Sequence, residues 1–420
     1  RKSIFNLGYV VFTIGSLLCG LSHNIHQLIF ARGFQGLGSA MLMANGPAVI
    51  TAAFPANERG KALGTLAMVV SLGLGLGPAL GGYLVKYFSW PSIFLVNIPF
   101  GILGAILAYK YIPASISVEL IEHTQHFERE RQLPFTVRLQ LAMNRMRSFD
   151  WFGTALWMVI QIAYSVAIDR DNSLGMPVAL QRIVMFGASG LLVLFIIWEL
   201  GNKNPILDFN LFRSKIFLTA NISALFSFIA TGGIMILLPF YFQNVRGLEP
   251  HRVGMFMSLI PLTIFIVAPI SGRLSDKYGS RTLSTIGMFA ICLSMILMSL
   301  PHSGLASPNV NKMSIYLILV GLGVGLFQSP NNNSIMGAVQ KAHLGVASAL
   351  MATVRNFGLV TGTALCTGFL MYFYNVKSLE TGSINTPAQN FVTALRFTFL
   401  ALAILCSIGI ITSFLKEDRK

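Results

Sequence analysis

Apolar positions in this chain neither alternate nor keep to one helical stripe. They run on for twenty residues and more, with short polar breaks between. The hydrocarbon of a bilayer is about 30 Å thick and asks for about 20 mostly apolar residues per helical span. Twelve runs meet that length, at about 4–21, 28–53, 63–85, 92–109, 151–168, 183–199, 216–240, 253–271, 282–300, 313–338, 345–374 and 393–415. A span in lipid must satisfy its backbone N–H and C=O groups internally, and runs this long do so as helices. The pattern therefore predicts an all-α membrane protein with twelve spans, several long enough to tilt.

Composition agrees. Of 420 residues, 54% are hydrophobic and 11% are charged, against about 25% charged in soluble domains. A net charge of +15 is also found in nucleic-acid binders, but its distribution argues for a membrane. With residue 1 in the cytoplasm, twenty Lys and Arg fall in inside loops and seven in outside loops. Cytoplasmic loops carry such an excess, so both ends are expected inside. Cys19, Cys292, Cys366 and Cys406 all lie in apolar runs, without the spacing of a disulfide framework or a zinc site. No Ser/His/Asp set, no paired intramembrane acids and no metal cluster is apparent, so neither an enzyme nor a cofactor is expected. "GLGLG" (73–77) is no nucleotide loop, because no strand precedes it and no lysine follows.

The longest loop is 113–149. "ELIEHTQHFERERQ" (119–132) places His123 and His126 beside Glu119 and Glu122. Such a set could hold a metal, but a solvated charged face is the simpler reading. "QLAMNRMRSFDW" (140–151) is basic and apolar, suited to lipid headgroups or to a plain linker.

The chain repeats itself. Lys2 precedes Gly8 by six residues, as Arg281 precedes Gly287; Gly36 and Gly38 match Gly323 and Gly325. From Gly60 and Gly345, thirteen residues lead to Gly73 and Gly358, and four more to Gly77 and Gly362. The second half has two spans ahead of "GRLSDKYGSRTLSTIG" (272–287) that the first half lacks. The expectation is two pseudo-symmetric bundles, the first without its two opening helices, plus an inserted pair: twelve spans of fourteen. The segments are 1–112 for the first bundle, 113–149 for the loop, 150–200 for the inserted helices and 201–420 for the second bundle and tail.

Four motifs in these segments resemble the major facilitator superfamily, in particular its fourteen-span drug/proton antiporters of the EmrB/QacA type. "GRLSDKYGSR" (272–281) resembles the loop motif between the second and third helix of a half. "FARGFQGLGSA" (30–40) resembles the fourth-helix motif, and "GLGLGPALGG" (73–82) the antiporter signature of the fifth. "WPSIFLVNIPFG" (90–101) resembles a sixth-helix motif that usually has arginine where Pro91 stands. The likeness covers most of the chain outside roughly 113–147.

On the residues themselves, Gly73, Gly77 and Gly81 share one helix face, with Gly82 beside it, and Pro78 removes a helix hydrogen bond. Lipid gives no hydrophobic force between helices, so small residues that allow close approach matter more. This is the expected gating helix; the resemblance implies that it faces its counterpart in the other half. Arg32 lies just inside a span, a costly place for a charge, with Gln35 one turn on to share its hydrogen bonds. The resemblance implies that Arg32 faces a central cavity and takes part in proton coupling. It also implies that the turn bearing Arg273, Asp276 and Arg281 stabilises one conformation, Asp276 pairing with Arg273, with Lys277 or with a helix N-terminus. Met41, Asn45, Phe226, Gln328, Asn331, Asn332 and Arg355 are the candidate cavity residues, the polar run "FQSPNNNS" (327–334) needing partners or water; for Arg355, pairing with backbone carbonyls or with a cytoplasmic loop stands equally beside substrate contact. No carboxylate sits mid-span, and the resemblance implies that a coupling acid belongs to a first helix absent here.

The reading is a proton-coupled exporter of amphipathic, cationic or neutral compounds, working by alternating access in a cell membrane, the bacterial inner membrane being the expected one. Its partners would be a small-molecule substrate, protons and the bilayer, with a periplasmic adaptor as a further candidate and no nucleic acid. An uptake symporter or metabolite carrier of the same fold is the first alternative, and the "GPALGG" signature argues against it. A non-transporting receptor or assembly subunit is the second, and its expected soluble domain could only be 113–149.

Overall fold

A computed structural model describes residues 2–55, 57–112, 150–168, 177–202, 205, 209–300, 311–340, 343–381 and 387–416, without a strand among them. The helices are α1 (Lys2–Gly20), α2 (Ile25–Ala53), α3 (Arg59–Tyr87), α4 (Ser92–Leu95), α5 (Asn97–Tyr111), α6 (Trp151–Ile168) and α7 (Val178–Gly201). Then follow α8 (Lys215–Phe240), α9 (Pro250–Met257), α10 (Leu259–Tyr278), α11 (Ser280–Ser299), α12 (Asn311–Gly337), α13 (Leu344–Thr381) and α14 (Pro387–Phe414). Every expected span is helical. Two are broken: 92–109 into α4 and α5 at Val96, and 253–271 into α9 and α10 at Ser258. Among the described residues, ten stretches are long and apolar enough to cross a membrane. At 29 residues α2 is long enough too, but Gln27, Arg32, Gln35 and Asn45 dilute it. The expected loop 113–149, with its histidines, lies outside the described residues.

The chain forms two compact units, residues 1–116 with 215–420, and 117–214. In the first, α8 and α10 to α14 surround one core of Tyr241, Phe242, Met288, Ile291, Met295, Phe327, Leu402 and Cys406. Burial varies among the helices: the apolar stretches of α8, α11 and α12 are each 56% buried, whereas those of α1, α3 and α13 are 22%, 19% and 17% buried. Both halves use glycine for close contact. Gly8 meets Gly38 across α1 and α2, and Gly287 meets Gly323 across α11 and α12. Between α10 and α11 the chain reverses at Gly279, whose φ of 86° suits a residue without a Cβ.

In the second unit α6 and α7 form an antiparallel pair around Leu156, Ile160 and Phe195. The Asp150 carboxylate caps α6 by accepting from Gly153 N at 2.7 Å. It also accepts from Trp198 Nε1 at 3.0 Å and Asn202 Nδ2 at 2.7 Å, pinning the end of α7 to the start of α6.

Candidate functional site

The two halves of the first unit meet along α3 and α10, which run antiparallel. A Cβ on Gly272 would strike the carbonyl oxygen of Gly60, and one on Gly60 the carbonyl of Gly272. Further along, a Cβ on Gly64 would lie 2.5 Å from Ala268 O, and one on Gly75 3.1 Å from Pro261 Cγ. Main chain therefore lies on main chain near one end of the seam, as only glycine permits. Ser329 on α12 joins it, donating to Gly60 O at 3.1 Å.

That end of the seam is closed by Asp276. Helix α3 has no side-chain cap of its own, for Glu58 at the N-cap makes no capping bond. Its first amides are orphan donors with partial positive charge. The Asp276 carboxylate answers both: Oδ1 accepts from Gly60 N and Oδ2 from Lys61 N, each at 2.8 Å. Asn333 Nδ2 approaches Oδ1 at 3.4 Å. Of the partners expected for Asp276, the helix N-terminus is the one observed. Arg273 is exposed and makes no ion pair with it; the ion pair resolved among the described residues is His251 with Glu249. Arg281 stacks its guanidinium 4.4 Å from the Phe414 ring.

Arg32 and Gln35 are brought together as expected. Arg32 Nη1 donates to Gln35 Oε1 at 2.8 Å, and Gln35 Nε2 donates to Ser16 Oγ on α1 at 2.6 Å. Gln35 is buried and Arg32 exposed, its guanidinium 5.7 Å from the Phe94 ring of α4. Gly15 leaves room for this, since its Cβ would lie 2.6 Å from the Gln35 Cα.

Within the polar run 327–334, Phe327 and Asn331 differ from expectation. Phe327 is in the core of the second bundle, and Asn331 is 1% exposed. Asn331 donates to Ala220 O at 3.0 Å and accepts from Lys416 Nζ at 3.3 Å. Asn331 is thus a bolt between α8, α12 and the end of α14, not a cavity-lining group. The physical reason is that buried carbonyls and an ammonium need partners more than a cavity needs amides. Lys416 is fully buried, also donating to Ser284 Oγ at 3.2 Å. Its position in a charged tail hid this role. Phe226 packs on the same core, its Cβ against Gly409. Met41 packs its Cβ on Gly8, and Asn45 Nδ2 bonds Met41 O at 2.8 Å. Gln328 and Asn332 are half-buried, one turn apart on another face of α12.

Arg355 on α13 crosses to the first half, with Nη2 3.7 Å from Met43 Sδ on α2. The glycine face of α3 is open instead. Around Gly73, Gly77, Gly81 and Gly82 no atom of a neighbouring helix lies within 4 Å of an added Cβ among the described residues, and α3 continues as helix through Pro78. The equivalents by repeat, Gly358 and Gly362 on α13, are filled by α8: a Cβ on Gly358 would lie 2.6 Å from Phe228 Cβ, and one on Gly362 would strike Ile229 O.

The Major Facilitator Superfamily model matches the chain over residues 1–363 and again over 220–420. The chain is 30% identical over 421 residues to the riboflavin transporter RibZ of Clostridioides difficile, covering 99% of this chain and 84% of that protein. It is 30% identical over 372 residues to the multidrug resistance protein Stp of Mycobacterium tuberculosis, covering 87% of this chain and 63% of Stp, under two thirds of its length. In fold it is similar to the human organic anion transporter MFSD10, with a TM-score of 0.59 at 14% identity over 97% of this chain and 77% of that one.

Proposed function

Since the chain belongs to the major facilitator superfamily and is a transporter of small molecules across a bilayer, we propose that it is a proton-coupled exporter of amphipathic compounds. The observation that carries this is the seam closed by Asp276. Two bundles joined by main-chain contact and one carboxylate clamp can part and rejoin as rigid bodies. On the charge bias of the loops we place that clamp, and both chain ends, on the cytoplasmic side of a cell membrane. Breaking it would open the cytoplasmic side, and remaking it would turn the site outward.

The fourteen-span drug/proton antiporter type is the finer reading, and the open glycines favour it. Gly73 and Gly77 would be covered by a helix standing to α3 as α8 stands to α13. Arg32, Gln35 and Ser16 form the polar network that would couple to a titrating acid. Gln328, Asn332, Asn45 and Arg355 would face substrate. A periplasmic adaptor would be a partner of the assembled exporter.

Likeness to Stp supports export, and likeness to RibZ supports a metabolite carrier as the second reading. One experiment separates them. The protein is reconstituted in liposomes with a pH gradient of either sign, and ethidium, 1-anilinonaphthalene-8-sulfonate and riboflavin are followed. Movement of either dye against inward proton flow is expected. Riboflavin alone, moving without regard to the gradient, would overturn export in favour of the carrier.

A further inference from the structure

Arg355 lies eleven residues into α13 from Leu344, and Met43 lies ten from the Ala53 end of α2. At 1.5 Å per residue both stand about 15 Å from those helix ends, well inside the apolar runs 345–374 and 28–53. That is too deep for the arginine stem to carry its charge to the headgroups. A guanidinium keeps its charge where it stands. Inside a span that charge is costly unless an acceptor answers it.

Among the described residues the acceptor it has is Met43 Sδ at 3.7 Å, a thioether and a weak one. The helices packed on α13 are α2, α8, α12 and α14. None of them carries an aspartate or glutamate. On α13 itself Glu380 is about seven turns further along. The other cations on these elements are engaged or distant: Arg32 bonds Gln35, Arg396 bonds Ser299 O, Lys215 and Lys312 lie at helix ends, and Lys377 is at the far end of α13. The space between α2 and α13 therefore holds one fixed positive charge beside a soft apolar surface.

We propose that Arg355 is the anion-binding residue of the transport site, and that the substrate is an amphipathic organic anion. Its carboxylate, sulfonate or phosphate group takes the bidentate edge of the guanidinium. Its apolar body lies on Met43, whose flexible side chain adapts to varied shapes. The cationic class expected from the sequence would meet repulsion at this place. The inference rests on the proposed transport role and names its substrate.

The test is binding to the purified full chain in phosphatidylcholine nanodiscs, by calorimetry, of 1-naphthylacetate and 1-naphthylmethylammonium. The two share an aromatic body and differ in charge. The carboxylate is expected to bind about tenfold tighter, the weight of one charge-assisted contact. Arg355→Gln should lower carboxylate affinity about tenfold and leave the ammonium unchanged, whereas Arg355→Lys keeps most of it. Tighter or equal binding of the ammonium, binding of neither compound, or full carboxylate affinity in Arg355→Gln overturns the proposal. So does loss of carboxylate binding when phosphatidylglycerol is added to the discs, for a lipid headgroup would then be the occupant. Should Arg355→Gln not fold, the wild-type charge preference and its retention in Arg355→Lys decide. Proton-driven export without charge preference would sink the anion site alone; charge preference without proton-driven movement would sink the exporter reading alone.

Discussion

Replacing Asp276 by asparagine removes a charge and one acceptor while keeping the shape. The wild-type carboxylate accepts two backbone N–H bonds at 2.8 Å from the first turn of α3. Hydrogen bonds to charged groups contribute about 1.5–3 kcal/mol each, and a charge at a helix N-terminus adds about 0.3–1 kcal/mol. Asparagine can accept from one of the two amides through its oxygen. Its NH2 then faces the other donor. The net loss is about one charged bond, or roughly 2–3 kcal/mol, which is about 30- to 150-fold in the balance between closed and open seam. Ser329 reports on the seam, because its hydroxyl is buried against Gly60 O. With the four native cysteines, all buried, replaced by alanine, Ser329→Cys is labelled by a membrane-impermeant thiol reagent from the side bearing the 272–281 turn. Asp276→Asn should speed labelling by about tenfold or more. Gly272→Ala is the positive control, since its methyl runs into the Gly60 carbonyl. If Gly272→Ala opens the site and Asp276→Asn leaves the rate unchanged, the carboxylate does not hold the halves together.

Gly362→Ala should lower thermal stability by about 1–3 kcal/mol through its contact with the Ile229 main chain, whereas Gly77→Ala, which meets no neighbouring helix among the described residues, should stay within about 0.5 kcal/mol; equal effects in detergent melts would contradict that contrast. Lys416→Met should cost more than a surface substitution by stranding the Asn331 carbonyl, a bond seen at 3.3 Å, and protease resistance of the second bundle is the readout. Asp150→Ala removes acceptors for Gly153, Trp198 and Asn202 and should free the indole, visible as changed fluorescence of Trp198 and faster hydrogen exchange at the start of α6.

Helix positions were legible because hydropathy over twenty residues is set by the solvent, here lipid, and not by neighbours. Even the breaks at Val96 and Ser258 leave the spans where the apolar runs put them. The glycines were legible as contact points in general, but not which neighbour each meets. Gly73 and Gly77 carry the same spacing as Gly358 and Gly362, yet the first pair faces open space and the second faces α8. What decides is the presence of a partner helix, which spacing cannot encode. Asp276 offered three partners of similar chemistry in sequence. The helix N-terminus prevailed over Arg273 and Lys277 because two aligned amides need no side-chain ordering to be met. Asn331 misled for a related reason: polarity in a span signals a need for partners, and its partners are the Ala220 carbonyl and Lys416 rather than a ligand. Lys416 gave no signal, because a lysine in a charged tail reads as solvated until the fold tucks it against Ser284 and Asn331.

The closed end of the α3–α10 seam is built from carbonyl oxygens, amides, the Asp276 carboxylate and the hydroxyls of Ser275 and Ser329. When it parts, what comes into view is wettable at once. Water can take up each released group, so separation forfeits little of the apolar burial that makes ordinary interfaces hard to pull apart. A hinge surfaced this way can swing often and cheaply, and each time it leaves nothing sticky behind for a stray acyl chain to claim.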